Sequence, residues 1–588
     1  MPVAPQEVFL GVTQSIRGRK WDARCDQEAL QDYQTETGLS RLEAALLCGR
    51  DIPAPQAQVF LDPTLRETLP DPSTLQDMDN AAARILDGMA AGEIIWIFSD
   101  YDVDGGTSAA QLIRWGRSQG FDFKLYIPDR IKEGYGPSVA AFDALKADGA
   151  DLVITLDCGA AAYEALIHAD KIGLPVIVVD HHLMKEDIPP ALALINPNRQ
   201  DDSSGLGHLA AAGVSFMLLV ALHREAKARG SAQDFDLKGV LGLTALGTIC
   251  DVVPLKGVNR TFVRQGLKVL SRDQNIGIRA LADVAEIGPP YSTYHAGFVL
   301  GPRLNAGGRI GRADMGAELL ATENSQLAYS HAAELDRVNM KRRAMQDKIL
   351  REAIEMAEAK HDAPVLIVAL EDWHAGIVGI VAGRLKDRFQ KPAIVIGIDE
   401  QGKGKGSGRS IKGVNLGGAI SAAKEAGLLL SGGGHEMAGG LTIDPEKLEE
   451  FEVFICDRLR GDVAKASANP RFSVDALLSV TAVDQALLET IERIGPYGAG
   501  NPQPVFGFAD LSLSYAQRLK GSHVRFSFTD SGGAVLSGIC FRADELGLSE
   551  ALLDPKPARY HVIGQVKPNN WKGRRSIDFH LLDMARAE

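Results

Sequence analysis

Residues 99–108 read SDYDVDGGTS, with aspartates at 100, 102 and 104 followed at once by Gly105 and Gly106. Three carboxylates this close repel one another, and a divalent cation is the usual means of neutralising such a group. A solvated Asp-Gly turn is the plain alternative for the motif taken alone. The pattern D-x-D-x-D-G also opens a calcium loop, but such a loop follows a helix and would close on a glutamate at position 111, which is Gln111. Here Ile94, Ile95, Trp96, Ile97 and Phe98 precede the motif, an apolar, β-branched run of strand length. The carboxylates therefore sit where a buried strand ends.

Two more apolar runs end in the same way. DLVITL at 151–156 stops at Asp157, and PVIVV at 175–179 stops at Asp180, His181 and His182. In a parallel sheet the carboxyl ends of the strands share one edge, where ligands bind. Asp102, Asp104, Asp157 and His181 can converge there, and GTICDVVPL adds Asp251 after an apolar helical run. A single Asp after a strand is often only a helix cap, and a His–His pair is often structural. Three successive strands ending in Asp are harder to dismiss. Oxygen-rich ligands with one imidazole suit Mn²⁺ or Mg²⁺, and there are enough of them for two ions. A pair about 3.5–4 Å apart, bridged by a carboxylate, can bind both the attacking and the leaving oxygen of a phosphoester displacement.

The elements that must position these groups alternate between 94 and 182. Strand IIWIF is followed by a helix near 107–119, FKLYI (123–127), DLVITL, a helix near 160–170 and PVIVV. That order predicts an α/β fold with a mostly parallel, doubly wound sheet. Residues 325–360 contain neither Gly nor Pro, and their apolar positions recur at three, four and seven. This predicts one helix about 54 Å long at about 1.5 Å per residue, bridging two lobes. PVLIVAL (364–370) and KPAIVIGI (391–398) open a second, smaller α/β unit, and beyond 470 short turn-punctuated strands predict a β-barrel. The expected domains are an N-terminal segment with the catalytic domain at 1–325, the connecting helix at 326–362, the second domain at 363–465 and an OB-like barrel at 466–588.

A chain of 588 residues is too long for one core, and 45% apolar with 24% charged residues is ordinary for a soluble globular protein. The longest uncharged apolar stretch, 209–222, is shorter than a bilayer requires, and the N-terminus lacks a basic segment leading into an apolar one. No membrane association and a cytoplasmic location are expected. Six cysteines are scattered singly without a CxxC pair, which predicts reduced thiols rather than a zinc site or a disulfide framework. A net charge of −13 argues against binding nucleic acid over the whole surface, yet residues 556–575 hold six Lys or Arg and no acid.

DYDVDG, LDCG, VDHH and DVVPL resemble the four leading motifs of the DHH phosphoesterases. GPRLNAGGRI (301–310), WHAGIVGIVAGRL (373–385), GSGRSIKGVNL (406–416), GGGHEMAGG (432–440) and GPYGAGNPQPVF (495–506) narrow the resemblance to the RecJ family of single-strand-specific 5′→3′ DNA exonucleases. Ser99, Val103 and Gly106 stand where Gly, Ala and Ala are commoner in that family, and none of these departures removes a ligand. The resemblance implies two divalent ions, Mn²⁺ or Mg²⁺, on Asp102, Asp104, Asp157, His181 and Asp251, with Asp157 bridging. It gives catalytic roles to Asp100, Asp157 and His182. Asp100 and Asp180 would ligate or stand behind the ligands, and His182 would face the scissile phosphate.

Substrate contacts would come from Arg130, Tyr135, Arg303, Asn305, Arg309, Ser407, Arg409 and His435. A planar guanidinium matches phosphate oxygens, glycine-rich surroundings leave amides free for anions, and Tyr135 could stack on a base. The five glycines within 432–440 imply that a ligand comes close to the backbone around His435. The barrel would resemble an OB-fold that holds single strands through residues such as Arg518, Lys520, Arg525, Lys567 and Trp571. The implied activity is degradation of single-stranded DNA from a 5′ end to mononucleotides in recombination and repair, by a monomer working with a single-strand-binding protein. The alternatives are another DHH enzyme that cuts short oligonucleotides or cyclic dinucleotides, and a non-catalytic single-strand-binding scaffold. The barrel and the complete ligand set argue against both.

Overall fold

Five parallel strands lie in the spatial order Lys124–Tyr126, Ile95–Ser99, Leu152–Leu156, Val176–Val179 and Ala193–Ile195. The structure is a computed structural model that describes residues 7–130, 132–272, 275–468, 470–554, 558–571 and 574–587. Both faces of the two strands at 152–156 and 176–179 are buried, which is why their sequences are continuous apolar runs and do not alternate. Register pairs Ser99 with Leu156 and Leu156 with Val179, so the three strands stop level with one another.

The chain divides into two units. One comprises residues 70–253 and 262–468, the other residues 7–69, 254–261 and 470–587. In the first unit the helix after the aspartates runs from Val103 to Ser118, four residues earlier than expected, because the Asp102 side chain caps it by accepting from the amides of Asp104 (2.8 Å) and Gly105 (3.2 Å). This helix is buried almost throughout and packs against the helices Ala211–Ala228, Leu241–Cys250 and Met315–Ala321.

The long helix spans Ser325–Glu358. Its first half packs on the helices Ile276–Val284 and Gly301–Ile310. Its second half places Ile349, Ala353 and Ala357 in a core shared with Ile377, Val381 and Leu385 of the helix Ala375–Phe389. It thus joins the parallel sheet to a second, five-stranded sheet ordered Ser431–His435, Ala438–Ile443, Gly404–Arg409, Ala393–Ile398 and Leu366–Glu371.

In the other unit, strands Phe506–Arg518, Val524–Thr529, Val535–Cys540, Arg574–Arg586 and Arg559–Trp571 close into a barrel through pairing of its first and last members. Phe506, Phe508, Phe526, Phe528 and Phe579 fill its core. Residues 7–69, expected to go with the parallel sheet, pack here. Strand Lys20–Ala23 pairs with Arg471–Val474, and the indole of the buried Trp21 donates to Asp583 at 3.2 Å. Cys25 and Cys48, expected as separate thiols, are joined in a disulfide with their Cα atoms 6.1 Å apart, while Cys158, Cys250, Cys456 and Cys540 stay free. Nothing local in the sequence signals that pairing, which depends on two packed helices. Among the described residues no helix is long and apolar enough to cross a membrane.

Candidate active site

The three level strands extend their ladder by one residue each. The amides of Asp100, Asp157 and Asp180 donate to the carbonyls of Leu156, Val179 and Ile195 at 3.1, 3.0 and 3.0 Å. Each carboxylate is thereby fixed at the same sheet edge, and all three are buried. Asp157 then turns the chain through φ +62°, a left-handed conformation that Asp tolerates better than most residues. Gly105 lets the next helix lie against this edge, since a Cβ there would stand 2.5 Å from the Asp100 carbonyl oxygen. At Gly106 a Cβ would meet only ordinary contacts with Ala317 at 3.7 Å, so there is room for an alanine there.

Asp104 is held from the opposite side. Its two oxygens accept from the amides of Ala211 (2.7 Å) and Ala212 (2.9 Å), the unpartnered first turn of the helix Ala211–Ala228. Asp251 ends the helix Leu241–Cys250, where the backbone dipole disfavours a carboxylate, and Val252 beyond it is strained at φ +62°. The Nε2 of His181 lies 3.3 Å from Asp157 Oδ1, 3.7 Å from Asp251 Oδ2 and 3.8 Å from Asp104 Oδ2. Among the described residues, three sets of donor atoms come within 4.8 Å of one another: Asp100, Asp102 and Asp157; Asp104, His181 and Asp251; and Asp157, His181 and His182.

Asp100 Oδ1, Asp157 Oδ1 and His181 Nε2 are buried without a hydrogen-bond partner. Burial and neighbouring carboxylates push the pKa values of Asp100, Asp104 and Asp157 well above the usual carboxylate range, and burial with Asp102 pushes Asp251 up to about 7. Burial and the charge of His182 lower His181 to about 4, so its imidazole is neutral and able to ligate. Orphaned, buried, oxygen-rich donors with one neutral imidazole fit two hard divalent cations that share Asp157.

Asp180 serves a different purpose. Its Oδ1 accepts from the amides of His181 (2.7 Å) and His182 (3.1 Å) and from His182 Nδ1 (2.8 Å), and its Oδ2 accepts from the Ala160 amide (2.9 Å). Three of these four bonds fall on Oδ1 and orient His181 and His182, while Oδ2 carries one. Burial works against its charge, but the bond and charge of His182 outweigh it and hold Asp180 down at about 2. His182 is in turn held up at about 9, because the Asp180 bond and surrounding carboxylates overcome burial. Asn196 and Asn198, which the sequence reading missed, donate to the carbonyls of His182 (2.9 Å) and His181 (2.5 Å). The Asn-Pro-Asn directly after a strand was their one available signal. Gly247 was missed as well: a Cβ there would stand 2.4 Å from Thr107 Oγ1 and 2.7 Å from Asp104 Oδ1.

Beside the aspartates, Arg130 lies over the Tyr101 ring at 5.1 Å, Arg309 donates to the Gly376 carbonyl at 3.0 Å, and Arg409 donates to Ser407 Oγ at 3.0 Å. Burial, Arg130 and Arg342 lower Arg309 to about 10, and burial with Arg130 lowers Arg409. Among the described residues no carboxylate forms an ion pair with any of the three. Gly376 lies in the first turn of the 15-residue helix Ala375–Phe389, whose N-terminal end is also electropositive. Uncompensated guanidinium groups at a helix start make an anion site.

The glycine-rich segments contribute to these surroundings in a way other than expected. Gly301–Ile310 is a helix and Gly404–Arg409 a central strand, so their amides are not free loops for anions. Their glycines admit neighbouring backbone instead, as Gly308 does for the Tyr101 carbonyl, 2.7 Å from where its Cβ would be. Likewise the glycines of 432–440 approach the protein's own helix Leu416–Glu425: a Cβ on Gly439 would stand 2.6 Å from Ile420.

Tyr135 is exposed, and its hydroxyl donates to the Asp157 carbonyl at 3.1 Å and lies 3.2 Å from His182 Nδ1. Arg303 and Asn305 are engaged by the protein. Arg303 bonds Asp336 and the Val299 carbonyl, both at 2.8 Å, and Asn305 accepts from the Val103 amide at 3.1 Å. His435 lies exposed at the end of a hairpin strand, and no described hydrogen bond ties it to the aspartates or arginines. On the barrel, Arg518 is paired with Asp544 at 2.6 Å, and the Trp571 side chain lies outside the described residues.

Residues 94–248 match the model of the DHH family N-terminal domain, 362–461 that of the DHHA1 domain and 474–583 that of the RecJ OB domain. The single-stranded-DNA-specific exonuclease RecJ of Bacillus subtilis is 33% identical over 97% of this chain and 71% of its own length. The chain belongs to the RecJ family. Another relative, the single-stranded-DNA-specific exonuclease RecJ of Escherichia coli, is 33% identical over 86% of this chain and 89% of its own. The crystal structure of Thermus thermophilus RecJ in complex with Mn²⁺ superposes with a TM-score of 0.79 at 26% identity, covering 96% of this chain and 78% of that one.

Proposed function

We infer that the chain is a metal-dependent exonuclease that degrades single-stranded DNA from its 5′ end to mononucleotides. The observation that carries this is a juxtaposition of two kinds of group: buried donor atoms lacking hydrogen bonds at Asp100, Asp157 and His181, and guanidinium groups without an ion pair among the described residues at Arg130, Arg309 and Arg409. The first suits cations and the second a terminal phosphate.

Asp102, Asp104, Asp157, His181 and Asp251 would hold two divalent ions, with Asp157 in common and Asp100 at the edge of the set. When bound, such ions lower the pKa of water and neutralise charge at phosphorus. The arginines fix the 5′ phosphate, so that the first internucleotide phosphorus, one nucleotide away, lies against the aspartates. His182, protonated near neutrality and oriented by Asp180, donates a hydrogen bond from Nε2 to a phosphoryl oxygen and stabilises the charge that develops there. Cleavage breaks the bond from phosphorus to the 3′ oxygen of the terminal nucleotide. The new 5′ end then occupies the arginine site, which sets the polarity. A closed barrel of the OB type supplies a second place for a long strand, which a phosphodiesterase of small dinucleotides does not need.

On this reading the work is recombination and repair in the cytoplasm, by a monomer acting alongside a single-strand-binding protein. The test is digestion of a single strand labelled in turn at each end, with Mn²⁺, Mg²⁺ or chelator, beside a duplex control. Mononucleotides released from the 5′ end of the single strand alone, and only with a cation, support the reading. Cleavage confined to di- to pentanucleotides, or strand binding without cleavage under either metal, overturns it.

A further inference from the structure

Two large rings stand in solvent where a buried alternative would be expected. Tyr294 is 63% exposed and Phe298 72%, and they stack on each other with centroids 5.6 Å apart and planes 21° from parallel. Phe298 lies in the π-helical turn His295–Leu300, a rare geometry that tends to mark functional sites. That turn is pressed against the metal cluster's own scaffold. The Cys250 thiol bonds the Ala296 carbonyl at 3.7 Å, and a Cβ on Gly301 would stand 2.5 Å from Cys250 Sγ, one residue before Asp251.

The rings line a cavity of about 930 Å³ that also takes in Arg303, Arg342, Arg343 and Arg384, with Asp347 the one carboxylate on its wall. Arg303 and Arg342 are occupied by Asp336 and by Asn339 and Gln346. Arg343 and Arg384 are exposed and form no ion pair among the described residues. The same cavity is walled by Asn305, which bonds the Val103 amide beside Asp102, and by Arg309 of the phosphate pocket. It therefore shares Asn305 and Arg309 with the surroundings of the proposed active site.

We propose that Tyr294 and Phe298 form a base-stacking platform for the substrate strand on the 3′ side of the cleaved bond, with Arg343 and Arg384 following its backbone. This rests on the exonuclease reading above. Exposed π-faces beside unpaired cations match a single strand, which offers bases and phosphates in alternation. A base–aromatic contact tolerates any sequence, as a processing enzyme needs. An apolar peptide would leave the arginines unused, and a duplex would hide its base faces.

The test uses the full chain and 5′-phosphorylated oligonucleotides carrying one abasic site at successive positions. The wild type should show a window of positions, 3′ of the cleaved bond, where an abasic site raises KM about tenfold or more with kcat little moved. Tyr294→Ala/Phe298→Ala should carry that higher KM on the intact strand and lose the window. The exchange variant Tyr294→Phe/Phe298→Tyr, which keeps both rings, should restore it. Arg384→Ala should reduce the salt slope of binding by about 0.7. A window that persists in the alanine pair, or an exchange variant as defective as that pair, overturns the proposal. Anisotropy of a labelled strand on the chelated chain separates the two readings. If the wild type cuts no DNA yet the alanine pair binds the strand about tenfold more weakly, the platform stands and the exonuclease reading falls. Equal binding by both chains overturns the platform whatever the cleavage result.

Discussion

The amide of Asp157 donates to the carbonyl of Val179 at 3.0 Å, one position past the last paired residue of its own strand. A hydrogen bond that belongs to the sheet thus sets the place of Asp157, the residue proposed to serve both ions, while its φ of +62° swings the following chain away from the edge. Asparagine keeps the amide, tolerates the left-handed conformation and removes the charge. Asp157→Asn should lower cleavage at least about 10²-fold, read as single-strand turnover in Mn²⁺. Because the Asp157 pKa is raised by burial and by Asp102, the wild-type carboxylate costs stability as pH rises and it is forced to ionise. In chelator, the variant should therefore melt above the wild type at pH 9, with the gap closing toward pH 5.

Gly105 and Gly106 are neighbours with opposite tolerances. A methyl at 105 would stand 2.5 Å from the Asp100 carbonyl and 2.8 Å from Ser99 Oγ, whereas at 106 it would make ordinary contact with Ala317. Gly105→Ala should cost about 1–3 kcal/mol in denaturant unfolding and abolish saturable stabilisation by Mn²⁺, since the helix carrying Asp104 is pushed off the sheet edge. Gly106→Ala should stay within about 0.5 kcal/mol of the wild type and keep the Mn²⁺ response. Equal losses at the two positions would show that flexibility, not space, is what the pair supplies.

What could be read from the sequence was whatever leaves a local trace. Buried parallel strands are continuous apolar runs, so three strand ends bearing Asp were visible, and the missing Gly and Pro after 325 exposed the long helix. The caps were not visible. That Asp104 satisfies the helix beginning at Ala211 depends on two segments about a hundred residues apart, and no periodicity encodes it. The same holds for the pairing of Lys20–Ala23 with Arg471–Val474 and for the Cys25–Cys48 bond. Ala193–Ile195 is too short to register as a strand. Glycine-rich stretches misled in a specific way, because a missing Cβ serves close packing of backbone as readily as it frees an amide for an anion.

Asp180 and His182 predict opposite edges of a pH profile. His182 titrates at about 9 in place of 6.5, so its contribution to stability is full below about 6.5 and is lost as pH rises through 9. Asp180 titrates at about 2 in place of 3.8, so its contribution is present above 3.8 and is lost as pH falls toward 2. Asp251, raised to about 7, loses stability earlier, as pH rises from about 4 to 7, so its fall precedes the one that His182 gives above 6.5. The chelated wild type should therefore lose melting temperature steadily from pH 6.5 to 9. His182→Gln should lessen that loss without abolishing it, and should weaken the acid limb as well, because the bond and charge that hold Asp180 down come from His182. A single imidazole carbon or nitrogen resonance of His182, followed by NMR, gives the same pKa without reference to stability.

The proposed anion site can be disturbed without touching a charge. Gly379 lies on the helix Ala375–Phe389 where a Cβ would stand 2.9 Å from Ser407 Oγ and 3.3 Å from an Arg409 guanidinium nitrogen. Gly379→Ala should displace both groups, because the Arg409 fork is already tied to Ser407 and to the Gly408 carbonyl at 2.8 Å and has little room to retreat. Arg409→Ala removes the charge outright. If these groups read the 5′ phosphate, both variants should raise KM about tenfold for a 5′-phosphorylated strand and change it little for a strand ending in a 5′ hydroxyl, narrowing the preference between the two ends. The alanine at 379 should be the milder of the two, since a shifted guanidinium still attracts phosphate while a missing one does not. A uniform loss on both substrates would mean that the arginines hold the second sheet against the helix and that the terminal phosphate is bound elsewhere.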